Sequence, residues 1–162
     1  MKHVLLVDAH AARVRRFREA VALYRETFLP LRQDAKATHA RAREVRARLS
    51  GDVRLHVFPN GPEALKFLRR EPPYGWAPRP AVVFTDVYLE ASTEGTFLQA
   101  LKGDPGLRDL PTVVLCGGSE PAAVRAAWEA GGNAVVDLRW EGEKGAEAVA
   151  DVLRFWIVDP PR

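Results

Sequence analysis

The sequence predicts an α/β fold: five parallel strands in one sheet, with helices on both faces. Three observations carry this. Short unbroken apolar runs rich in β-branched residues recur at Val4–Val7, Ala81–Thr85 and Thr112–Cys116, and such runs read as strands buried on both faces. Segments with helical spacing of apolar residues alternate with them, which implies a parallel sheet. Two of the runs lead directly into an aspartate, Asp8 and Asp86. Carboxylates at the C-terminal ends of parallel strands lie where open α/β sheets place their chemistry.

The elements follow in order. After Val4–Val7, a helix from about Ala11 carries Val14, Phe17, Val21, Tyr24 and Phe28 as one apolar stripe, and Pro30 ends or bends it. The Ala- and Arg-rich run Leu31–Leu49 contains neither Gly nor Pro and suits a second helix, closed by Ser50-Gly51-Asp52. Val53–Phe58 alternates as a strand, and the turn Pro59–Pro62 leads into a helix over Glu63–Arg70. The proline-rich stretch Pro72–Pro80 precedes the central strand. Beyond Asp86, a polar loop leads to a helix at about Thr96–Lys102, and Asp104-Pro105-Gly106 forms a turn. Pro111 precedes the strand Thr112–Cys116, and Ser119 is suited to cap a helix over Pro121–Ala130 that Gly131 and Gly132 stop. Ala134–Val136 is the fifth strand. Ala146–Ile157 is the last helix, with Val149, Leu153, Trp156 and Ile157 on its apolar face. In a doubly wound sheet of this order, the ends of strands one and three meet at the switch point. Asp8 and Asp86 are therefore expected to be neighbours.

The chain has 162 residues with 47% hydrophobic content, enough for one domain with a full core. No run approaches the roughly 20 apolar residues of a membrane span, and the start of the chain is too short for a signal peptide before its first strand. One cysteine, Cys116, rules out an intramolecular disulfide and fits a reducing compartment, so a cytoplasmic setting is expected. Charge is unevenly placed: residues 10–50 carry eleven Arg and Lys against four acids, while the remainder is net acidic. There is no Gly-rich phosphate fingerprint, no His and Cys metal cluster and no nucleophile–base pair at recognisable spacing. The chain does not read as an enzyme.

With these elements in place, the sequence resembles the receiver domain of two-component response regulators, including the single-domain chemotaxis type. The likeness is carried by Val4–Asp8, by Asn60-Gly61-Pro62-Glu63-Ala64-Leu65, by Val82–Asp86, by Leu110–Leu115 and by Ala130–Ala134, in that order. It covers residues 1–162 as one domain except for a helical insertion at about 23–50. It implies a flavodoxin-like, three-layer α/β/α sandwich extended by that insertion after strand one. It also implies phosphoryl transfer from a histidine kinase to Asp86, and Mg²⁺ held by Asp8, Asp86 and the backbone carbonyl of Tyr88.

The sequence departs from the family pattern at several of these positions. Ala9 stands where a second acid is usual, followed by His10, and Cys116 stands where strand four usually ends in a hydroxyl residue. The lysine usual at the end of strand five falls on Leu138, with Arg139 beside it. The chain thus reads as a degenerate receiver whose switch positions are Cys116, Leu138 and Arg139. The leading expectation is a stand-alone signalling module acting by contact with a protein, a histidine kinase or another signalling protein, with no output domain after the last helix. A homodimer is one form of such contact. The alternatives are a phosphorylation-independent pseudo-receiver adaptor and a nucleic-acid-associated regulator. The second would use the basic surface of Arg32, Lys36, Arg41, Arg43, Arg46 and Arg48. No aromatic interleaving supports strand stacking there, and a solvated basic face is the plainer reading.

Overall fold

A central strand flanked on both sides organises the molecule. The structure, a computed structural model, describes residues 1–28, 53–89, 91, 95–116, 121–137 and 143–158. The elements run β1 (Lys2–Val7), α1 (Ala11–Phe28), β2 (Val53–Phe58), α2 (Gly61–Arg69), β3 (Val82–Asp86), α3 (Phe97–Gly103), β4 (Thr112–Cys116), α4 (Pro121–Glu129), β5 (Ala134–Asp137) and α5 (Glu143–Val158). All strand pairs are parallel, in the order β2-β1-β3-β4-β5. The sheet grows to one side of β1 and then turns back past β3, so β1 and β3 are adjacent at the switch point, as expected.

Alternate residues of each central strand feed opposite helical layers, because strand side chains alternate in direction. Val4 and Leu6 of β1, Val82 and Phe84 of β3, and Val113 and Leu115 of β4 pack with Phe17, Val21 and Tyr24 of α1 and Val149, Leu153 and Trp156 of α5. Phe17 meets Phe84 edge-on, with ring centroids 4.7 Å apart. On the other face, Leu5, Val7 and Val83 pack with Ala64 and Phe67 of α2 and Phe97 and Leu101 of α3. Val114 and Cys116 pack with Leu98 of α3 and Ala123 and Ala127 of α4. The result is the predicted three-layer sandwich: α1 and α5 cover one face, and α2, α3 and α4 the other.

Helix ends follow local chemistry. The Asn60 side chain accepts from the Glu63 N–H at 3.0 Å and starts α2 at Gly61, ahead of the Glu63 expected from the apolar pattern. Thr96 and Gln99 form a reciprocal capping box at the start of α3. Gly131 exits α4 with φ +92°, in the left-handed region that glycine tolerates. The last helix begins at Glu143 rather than Ala146, because Glu143, Lys144 and Gly145 carry no apolar signal from which its first turn could be read.

Two polar clusters lie at the far edge of the sheet. Lys102 Nζ donates to the Leu110 carbonyl at 2.8 Å, to the Arg108 carbonyl at 3.1 Å and to Asn133 Oδ1 at 3.0 Å. Burial lowers its pKa, with Asp109 opposing. His3 Nδ1 lies 3.0 Å from His56 Nε2 across β1 and β2. Burial lowers the pKa of both rings, assisted by Arg54 and, for His56, by His3 itself.

Helix α1 runs without a break to Phe28, so the first residues of the predicted 23–50 insertion continue that helix. The expected helix Leu31–Leu49, with Arg32, Lys36, Arg41, Arg43, Arg46 and Arg48, lies outside the described residues, as do Ser119, Leu138 and Arg139. No helix among the described residues is long and apolar enough to cross a membrane.

Candidate functional site

Asp8 follows β1 directly. Its backbone N–H donates to the Phe58 carbonyl at 3.0 Å, which carries the β1–β2 ladder one residue past the strand. Its side chain is wholly buried. Asp86 is the last residue of β3, in register with Leu115 of β4, and its side chain retains 21% exposure. Both carboxylates therefore stand at the C-terminal edge of adjacent central strands, as the sequence predicts.

Arg13, on the first turn of α1, joins them. Its Nη2 donates to Asp8 Oδ1 at 3.1 Å, and its Nη1 donates to Asp86 Oδ2 at 3.1 Å. Its Nε lies 2.8 Å from Asp8 Oδ2. That third approach is close but misaligned, so these two buried atoms share an ion contact and no hydrogen bond. The remaining carboxylate contacts come from the backbone. Asp8 Oδ1 also accepts from the His10 N–H at 2.8 Å, and Asp86 Oδ1 accepts from the Tyr88 N–H at 2.8 Å. The second contact is a local turn that sets the direction of the Asp86 side chain.

The other predicted positions are distributed around this cluster. The His10 imidazole is 71% exposed, 3.4 Å from Asp8 Oδ1. Its Nδ1 also lies 2.7 Å from Arg13 Nη2. The Tyr88 side chain is exposed. Cys116 ends β4 and is buried among Val87, Leu98, Ala123 and Ala127, as a small apolar residue would be. A cavity of about 230 Å³ opens beside the ion pairs, walled by Leu6, Ala12, Arg16, Phe17 and Leu115 together with Asp8 and Arg13.

Two carboxylates and a nearby carbonyl are the hard oxygen donors that magnesium, calcium or manganese takes. Asp8 Oδ2 is a buried oxygen with no hydrogen bond, as a ligand oxygen in want of a cation would be. Yet the guanidinium of Arg13 already faces three of the four carboxylate oxygens. As arranged, the cluster fits that guanidinium and not a divalent ion beside it. Among the described residues, no group of three or more His, Cys, Asp and Glu side chains is placed to hold a metal.

Arg13 is the site residue that sequence reasoning missed. It was legible only as one of the many arginines between residues 10 and 50. The signal that marks it is positional: a cation on the first turn of a helix that directly follows a strand-end acid can reach back over that acid.

No family model matches the chain. It is 26% identical over 125 residues to the response regulator Rcp1 of Synechocystis sp., covering 77% of this chain and 85% of that protein. The crystal structure of the Mn²⁺-bound form of response regulator Rcp1 superposes with a TM-score of 0.71 at 22% identity, covering 98% of this chain and 96% of that one. The phosphorylated cyanobacterial phytochrome response regulator RcpA gives 0.69 at 22% identity, covering 96% of this chain and 93% of that one. Response regulator RPA3017, in red light signaling of R. palustris, gives 0.66 at 19% identity, covering all of this chain and 97% of that one. Sheet order, strand-end aspartates and these likenesses agree: the chain has the flavodoxin-like fold of response regulator receiver domains.

Proposed function

We propose that this receiver-like signalling protein works by contact with a protein partner, a histidine kinase or another signalling protein, and that Asp86 is the residue that accepts a phosphoryl group. The observation that carries the reading is the position of Asp86 at the mouth of the central strand. One oxygen is held by the Tyr88 N–H, and Oδ2 lies against Arg13 on a side chain that keeps partial exposure. In the transfer, Asp86 Oδ2 attacks phosphorus, an acyl phosphate forms, and the bond from phosphorus to the donor atom breaks, with its electron pair leaving on the donor. The Tyr88 N–H keeps Oδ1 oriented, so the attacking oxygen presents one face. The Arg13 guanidinium is close enough to follow the charge onto the phosphoryl oxygens, where planar donors pair well.

The Mn²⁺-bound relative supports a divalent ion in such a site. With Arg13 moved off the carboxylates, Asp8, Asp86 and the Tyr88 carbonyl would supply the oxygen donors, and the ion would offset negative charge at the transferring group. Intact mass after exposure to Mg²⁺ and acetyl phosphate, with Asp86→Asn as control, tests the reading. A gain of about 80 Da in the wild type alone, the mass of one phosphoryl group, is the expected result, and no adduct would overturn it. A second reading, a phosphorylation-independent adaptor, is favoured by one observation: Arg13 already pairs both carboxylates.

A further inference from the structure

We infer that Arg13 is a built-in counter-cation that competes with divalent metal for the carboxylates of Asp8 and Asp86. The inference rests on the receiver reading above and concerns how that site is regulated. Each guanidinium nitrogen lies against a different carboxylate oxygen: Nε against Asp8 Oδ2 at 2.8 Å, Nη2 against Asp8 Oδ1 at 3.1 Å, and Nη1 against Asp86 Oδ2 at 3.1 Å. A divalent ion needs the same oxygens at about 2.0–2.6 Å, and it would then face an unscreened positive charge within van der Waals reach. Ion and guanidinium therefore exclude one another.

The seat is not ideal for the arginine. Asp8 Oδ2 and Arg13 Nε are both buried, yet they make no hydrogen bond. Asp8 Oδ2 is left to an ion contact that a metal would satisfy better. The side chain of Arg13 retains 23% exposure and so has a route outward, while Asp8 has none. Metal entry thus amounts to displacement of Arg13 from a fixed buried acid. A partner that draws the guanidinium away, through its own carboxylate or through a phosphoryl group arriving on Asp86, would open the site. Arginine suits the blocking role because its planar fork bridges two carboxylates at once, which a lysine ammonium on a flexible stem does not.

The test is Mn²⁺ binding to the full chain, followed by electron paramagnetic resonance of the free ion and by thermal unfolding with and without Mn²⁺. Wild type, Arg13→Gln, Arg13→Lys and the double variant Arg13→Gln with Asp8→Asn are compared. Arg13→Gln is expected to bind Mn²⁺ at least about tenfold more tightly than wild type, and its lowered Tm should rise more with added Mn²⁺ than that of wild type. The double variant should lose the gain. Arg13→Lys keeps the charge and folding but loses the bridge, and should fall between wild type and Arg13→Gln. Equal Mn²⁺ affinity in wild type, Arg13→Lys and Arg13→Gln would overturn the inference. Acetyl phosphate labelling separates the two readings: if neither the wild type nor Arg13→Gln labels on Asp86 while Arg13→Gln gains Mn²⁺ affinity, the competition stands and the phosphoacceptor role is removed.

Discussion

Removing Arg13 from the Asp8–Arg13 pair should cost far more than a surface ion pair, and its cost should not add to that of removing Asp8. The Asp8 side chain is wholly buried, and Arg13 supplies its two closest side-chain ion contacts, at 2.8 and 3.1 Å. Unit charges about 4 Å apart attract by ~4 kcal/mol at an effective dielectric near 20. Stranding one buried charge costs about 3–5 kcal/mol. Arg13 retains 23% exposure, which lets water relieve part of that cost, so Arg13→Gln should destabilise by about 3 kcal/mol. Asp8→Asn keeps an acceptor for the His10 N–H and leaves Arg13 paired with Asp86, so about 1–2 kcal/mol is expected. In the double variant no buried charge is stranded, and its cost should fall about 2 kcal/mol short of the sum. Urea unfolding without added metal reads these values from midpoints at constant slope. For a chain of this size, about 3 kcal/mol corresponds to a fall of roughly 6–12 °C in Tm. Additivity within about 0.5 kcal/mol, or an Arg13→Gln cost below about 1 kcal/mol, would refute the view that Arg13 compensates a buried charge.

Two further outcomes follow from other parts of the fold. Burial, foremost, and neighbouring positive groups hold His3 and His56 below the usual histidine value of 6.5. The unfolded chain then binds more protons than the folded one below that value. Stability from this pair is complete above about pH 6.5 and declines as pH falls toward the folded pKa values. Replacing His56 with Phe, which keeps the ring contact to Phe67, should flatten the dependence of Tm on pH between about 7 and 5; an unchanged slope would place the titrating groups elsewhere. At Gly132, a Cβ would meet Val114 Cγ2 at 2.9 Å and the Ala127 carbonyl at 3.0 Å. Gly132→Ala should therefore cost about 1–3 kcal/mol by overpacking the approach of α4 to β4, and a neutral effect in urea unfolding would show that the junction yields.

Much of this molecule was legible in its sequence, for identifiable reasons. The strands Val53–Phe58 and Thr112–Cys116 lie where the sequence pattern put them, the first because an edge strand alternates, the second because a strand buried on both faces leaves an unbroken apolar run. The neighbourhood of Asp8 and Asp86 followed from strand order alone, since a doubly wound sheet brings the ends of β1 and β3 together. Helix starts were less legible. Asn60 begins α2 by side-chain capping and Glu143 begins α5 without an apolar residue, so neither start is written in hydrophobic spacing.

Local periodicity and topology, then, were enough to bring two carboxylates to one edge of the sheet. Which cation stands between them was a tertiary decision. Among Arg13, Arg15, Arg16 and Arg18, the sequence marks Arg13 only by its place on the first turn of α1. Its partners lie on two different strands, one of them 73 residues away along the chain. Packing of α1 onto the sheet through Phe17, Val21 and Tyr24 fixes how the first turn of that helix faces the strand ends. Only with that rotation set does one guanidinium among many meet both acids, because ion pairing depends on distance and burial, and sequence carries neither until the chain has folded.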